Sequence, residues 1–142
     1  MKTLALLSLA LAAAAVPAAA QKVTTGTADW DTFPPAKIGS DDIDYSRLVR
    51  WTTQELQKPE CRAKGMRPTR FDVDEPYAVL IAPDGTVSHI VVREMGCPGL
   101  NTAIASTLAD MARRGKFHAT GQSSPAWYGG RLTYAAADST PH

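Results

Sequence analysis

Between two apolar runs of this chain stands the tetrapeptide Pro83-Asp84-Gly85-Thr86. Proline presets one backbone angle, glycine accepts a positive one, and each flanking run has the length of a strand, which together make a tight hairpin. The hairpin predicts strands over Tyr77 to Ala82 and Val87 to Glu94. In the first strand Tyr77, Val79 and Ile81 point one way and Ala78, Leu80 and Ala82 the other, so both faces are apolar and both need cover. In the second, Val87 differs in parity from Ile90 and Val92. A bulge or twist near Ser88-His89 is required if all three are to face one core.

Cover comes from two segments with helical spacing. Leu100, Ile104, Leu108 and Met111 recur on one face of a predicted helix from about Pro98 to Arg114, with Pro98 at its first position and Arg113-Arg114-Gly115 as its stop. Asp110, four residues before Arg114, supports that end weakly. Upstream, Tyr45, Leu48, Val49, Thr52 and Leu56 line one face of another helix, which starts among Asp41, Asp42 and Asp44 and ends at Lys58-Pro59. A last strand, Trp127 to Tyr134, follows a mobile loop over Gly121 to Pro125, and its Gly129-Gly130 pair marks a weak point, a bulge or a close backbone approach. The expected fold is α+β, a small three-stranded antiparallel sheet packed by two helices.

Residues Met1 to Ala20 carry one early cation, Lys2, an apolar run from Leu4 to Val16, then Pro17 and small residues, the pattern of a secretory signal cut after Ala20. The alternative, a retained anchor, has a run shorter than the roughly 20 residues a spanning helix needs. The expected organisation is a signal over 1–20, an extended segment over 21–39 anchored by Trp30 and Phe33, one α+β domain over 40–136, and a disordered tail over 137–142. After cleavage 122 residues remain (142 less 20), and without Lys2 there are 14 basic residues against 14 acidic ones. That neutral balance argues against nucleic acid as a partner. The location expected is periplasmic or secreted, and the only two cysteines, Cys61 and Cys97, are expected to form a disulfide there. A reactive Cys97 at a helix start is the alternative, giving a small thiol enzyme, although no Cys-x-x-Cys pattern is present.

The strand ending at Asp84-Gly85, the spacing of Val87, Ile90 and Val92, the Leu-Asn start at Leu100, the Ala-rich turns, Arg113-Arg114, Phe117 with Ala119 and a Gly-containing loop before the last strand together resemble the C-terminal domain of TonB-type periplasmic proteins. The resemblance covers roughly 60 to 75 residues, a small domain's worth. It implies a module that meets short segments of outer-membrane receptors, with the final strand at the contact edge, and so makes Trp127, Tyr128, Arg131 and Thr133 the partner-binding candidates. Two departures stand against energy coupling: such a transducer needs a permanent membrane helix and a long Pro-rich spacer, and before the domain this chain has only Phe33-Pro34-Pro35. The expectation is therefore a periplasmic module that binds a protein or peptide by strand addition, without a membrane span after cleavage. A short membrane-anchored transducer is the alternative, and a homodimer covering the first strand's second face stays open.

Other chemistry finds little footing. His89 on a strand, His118 after a helix and His142 at the tail belong to no nucleophile motif. Asp72, Asp74 and Glu75 lack the glycine and ligand spacing of a calcium loop, so no metal is expected, and no cofactor motif is present. Arg62, Lys64, Arg67 and Arg70 read as a solvated basic loop. Trp51, Trp127 and Tyr128 read as packing aromatics.

Overall fold

The computed structural model describes residues 21–38, 43–62, 71–118 and 121–136. The expected leader, Asp41, Asp42, the basic residues Lys64, Arg67 and Arg70, Ala119 and the tail from 137 lie outside these. The described elements are β1 (Lys22–Gly26), a 3-10 turn (Trp30–Thr32), β2 (Lys37–Ile38), α1 (Tyr45–Leu56), α2 (Pro59–Arg62), β3 (Phe71–Ile81), β4 (Val87–Arg93), α3 (Pro98–Arg113), β5 (Phe117–His118) and β6 (Ala126–Ala136).

The fold is α+β, and its sheet corrects the expected one. Four strands, not three, lie in the order β1-β4-β3-β6, while β2 and β5 pair separately. The sheet is mixed: β3 is antiparallel to both β4 and β6, but β1 runs parallel to β4, with Lys22 opposite His89 and Gly26 opposite Arg93. Three helices replace the expected two, because Pro59 opens the four-residue turn α2 where a stop was read. The strand β1 comes from the segment expected only as an extended lead-in, and its five residues are all exposed or half-exposed. A strand with no buried side chain leaves no hydrophobic period to detect.

The hairpin forms as its residues require. Gly85 adopts φ 87, the Gly85 N–H donates to the Ala82 carbonyl, and the Thr86 N–H donates to Asp84 Oδ1 at 2.9 Å. Leu80 pairs with His89 and Ile81 with Val87, so Ser88 is the extra residue of a bulge, and Val87, Ile90 and Val92 all turn into the core. Above that face α3 buries Leu100, Ile104, Leu108 and Met111, which join Val79, Ile81, Ile90, Val92 and Leu132 in one hydrophobic cluster. From α1 come Leu48, Thr52 and Leu56, with Asp44 capping the helix by accepting the Arg47 N–H at 3.1 Å. The expected disulfide is present: Cys61 and Cys97, both fully buried, join α2 to the residue that caps α3.

β3 starts six residues earlier than predicted. Its charged beginning alternates, Asp72 and Asp74 exposed, Val73 and Glu75 buried, so these acids belong to a strand. Glu75 holds a fork of hydrogen bonds from Arg93, at 2.6 and 3.1 Å. Pro76 fits within this strand because the ladder to β4 begins only at Tyr77.

Candidate functional site

β6 forms one edge of the sheet and carries the four residues singled out in the sequence. Side chains alternate along a strand, so these four cannot share a face. Trp127, Arg131 and Thr133 lie on the face away from the helices, while Tyr128 turns into the core and is buried. Tyr128 is thus placed away from any ligand lying on the open face, a consequence of parity that its neighbour Trp127 already implied.

The glycine pair explains how this strand is packed on both sides. A methyl added at Gly130 would overlap the hydroxyl end of Tyr77, its cross-strand partner on the core face. One added at Gly129 would stand 2.8 Å from Phe33 Cβ on the other face. The close approach expected at this pair is thus double, an aromatic residue over each glycine from opposite sides. Phe33 and its neighbour Trp30 cover the second face of β3 and β6, where Ala78 and Gly129 are buried.

Covering that face also occupies part of the edge. The Gly129 N–H donates to the Pro34 carbonyl at 2.8 Å, and the Ala36 N–H donates to the Gly129 carbonyl at 2.7 Å. Outward and inward backbone groups alternate along an antiparallel strand, so Arg131 and Thr133 point theirs the same outward way as Gly129. Arg131 donates to both oxygens of Asp74, at 2.7 and 3.1 Å, and the Thr133 hydroxyl reaches Asp74 Oδ1 at 3.4 Å. Those hydrogen bonds from Arg131 hold the Asp74 carboxyl below its ordinary range. Asp31 of the 3-10 turn adds a longer ion pair to Arg131, 3.9 Å. Trp127 packs beside Phe33 and His89, with ring centres 6.3 and 5.2 Å away, and His89 Nε2 lies 3.0 Å from Thr24 Oγ1. An aromatic strip therefore crosses the open face from β6 to β1. The sequence separated its members too widely for any local pattern to join them.

The opposite edge is β1, and it borders a groove of about 530 Å³ between that strand and α3. Val23 and Thr25 form one wall and Thr102, Ala105 and Ala109 the other, with Glu94 and Asn101 at one end. Val23 is 40 % exposed, an unusual state for a large aliphatic residue in this molecule. Glu94 accepts from the Gly96 N–H at 2.8 Å and from the Asn101 amide at 2.6 Å, which holds its carboxyl below the ordinary range. Sequence reading missed this groove because neither β1 nor the small-residue side of α3 carries an apolar period.

The remaining candidates are dispersed. Cys97 has its sulfur in the buried disulfide, so it presents no thiolate. His118 is exposed on β5, and His142 lies outside the described residues. Gln122 ties the loop before β6 to the end of β3, donating to the Ile81 and Ala82 carbonyls at 3.3 and 3.4 Å. Among the described residues no three His, Cys, Asp or Glu side chains gather as a metal site would need, and no helix is long and apolar enough to cross a membrane. No family model, curated protein or solved structure matches the chain. The TonB-type resemblance is therefore carried by the residues quoted for it and by nothing else.

Proposed function

We propose that this protein is a binding module of the periplasm or extracellular space, related in kind to TonB C-terminal domains, that takes an extended segment of a protein partner by strand addition. One observation carries the reading: at Gly129 the outer edge of β6 already bonds an extended stretch of chain, Pro34 to Ala36, through both its N–H and its C=O. Such an edge has main-chain groups at the spacing a further strand requires. Around it the scaffold is stiff, with a disulfide and two close-packed glycines. A stiff edge loses little entropy on binding, which favours affinity.

The test is capture of partners by a tagged chain spanning residues 21–142, compared with Trp127→Ala, Arg131→Glu and a β1 variant, Thr25→Pro. Strand addition requires that capture falls when one of the two edges is altered. Capture indifferent to all three removes the reading. The transducer alternative makes a different demand, an intact Met1 in the membrane fraction, and mass spectrometry of the mature amino terminus decides it.

A further inference from the structure

The two edges of the sheet differ in what lies beside them. Along β6, Phe33 to Ala36 already fill the space next to Gly129. Along β1, no described residue pairs with the outer side, and the strand is flanked by the groove rather than by chain. We propose that β1 and α3 together form the principal peptide site, and that its occupant is an extended segment running antiparallel to β1, with small apolar side chains at alternate positions and a Lys or Arg near its amino-terminal end.

This rests on the strand-addition reading and names the edge and the occupant. Each feature of the occupant has its counterpart in the groove. Pairing antiparallel to β1 is the more stable arrangement per residue and uses the outer edge of β1, whose other edge makes a parallel ladder with β4. Alternate side chains of a fifth strand fall on the helix side, where Ala105 and Ala109 leave space and Val23 lies exposed. The groove lining contains one charged side chain, Glu94, and no lysine or arginine. Glu94 lies at the end shared with Thr25 and Pro98, the carboxyl-terminal end of β1, where an antiparallel segment places its own amino-terminal residues. Its carboxylate already accepts from Gly96, Asn101 and Thr25, yet it remains exposed and can receive a cation from the segment.

A library of random displayed nonapeptides is the probe, selected on the chain of residues 21–142 and measured against four variants. Ala105→Trp fills the groove and Glu94→Gln removes its charge, while Trp127→Ala and Arg131→Glu alter the other edge. Thermal melting and an intact disulfide establish that each variant is folded. The expected result is enrichment of peptides with alternating small apolar residues and an early Lys or Arg, weakened about tenfold or more by Ala105→Trp. Glu94→Gln should weaken the cationic peptides several-fold and leave versions with Ala at that place unaffected. Should Ala105→Trp misfold, that charge selectivity decides alone. Peptides that survive Ala105→Trp but are lost on Arg131→Glu overturn the groove and leave strand addition standing at β6. A library that yields no binder overturns both. Sedimentation showing a dimer that Ala105→Trp dissociates makes a second copy the occupant and overturns the peptide.

Discussion

β6 and β1 end the same sheet, yet one is built into the molecule and the other is laid against it. Along β6, Tyr128, Leu132, Tyr134 and Ala136 are buried, an aromatic covers each glycine, and part of the outer edge is already bonded. Along β1 no side chain is buried, and beyond its ladder to β4 the side-chain links are those of Thr24 with His89 and of Thr25 with Glu94. Burial of apolar area is the main source of stability, so β6 should open only with the whole domain and β1 well before it. An edge that opens easily can adjust to a partner, whereas one fixed on both faces can only present what it already shows.

The largest perturbation falls on neither edge. Replacing Cys61 and Cys97 by alanine releases a loop closed over 36 residues and should lower stability by about 4 kcal/mol in urea unfolding. Only an edge that opens with the whole domain loses that amount, so the gap between β1 and β6 in amide exchange should shrink by lowering β6 alone. A fall in β1 protection of the same size would mean that β1 opens only globally, and the contrast would be lost.

Substitutions on the strands themselves give the next largest effect. Leu132→Ala removes a fully buried side chain from β6 and should cost about 3 kcal/mol, while Val23→Ala, on a side chain 40 % exposed, should cost about 0.5 kcal/mol or less. Equal losses would show that β1 is packed in solution more tightly than its exposure indicates.

How much of this was legible in the sequence follows the same contrast. The hairpin, α3, the Ser88 bulge and the disulfide were readable because each leaves a local signal: turn residues, a helical period, a parity break, or a pair of cysteines with no other partner. β1 left none, since Lys22 to Gly26 buries nothing. The first half of β3 was hidden by its charges, although Val73, Glu75 and Tyr77 keep strand parity inward. Tyr128 was placed with Trp127 on the contact edge by the TonB-type resemblance, where alternation would have set them on opposite faces. The bonds from Pro34 and Ala36 to Gly129 are backbone only, and the groove is formed by the absence of bulk on α3; neither has a residue-type signature.

Alkaline pH acts on the β3–β6 side through two buried hydroxyls. Burial raises both Tyr77 and Tyr134 to about 12 from the usual 10.0, Tyr134 despite a hydrogen bond with Thr52 at 2.7 Å. Above pH 10 the unfolded chain gives up these protons while the folded chain keeps them, so stability is intact below pH 10 and falls as pH rises towards 12. At about 1.4 kcal/mol per pH unit for each group, the fall approaches 2 to 3 kcal/mol per tyrosine. Tyr77→Phe and Tyr134→Phe should each flatten the profile measured by urea unfolding from pH 9 to 12. A profile unchanged by both would show that each hydroxyl titrates in the fold as it does in the unfolded chain.

The smallest effect is the most specific to β1. Thr24→Val keeps the shape and β-propensity of the side chain but removes its hydrogen bond to His89, worth about 0.5 to 1 kcal/mol for a half-buried pair. If β1 opens locally, that energy appears in the exchange of the β1 and β4 amides that bond each other, and urea unfolding of the whole domain falls by the same small amount, since the bond is absent from both open states. His89 also packs on Trp127, so the substitution asks in addition whether the aromatic strip couples the two edges. Among amides that exchange by local opening, faster exchange confined to Lys22–Gly26 and its β4 partners keeps the edges independent. Faster exchange reaching Pro34–Ala36, across the strip at Gly129, would make them one unit, and a partner seated on β1 would then also loosen or tighten the edge at β6.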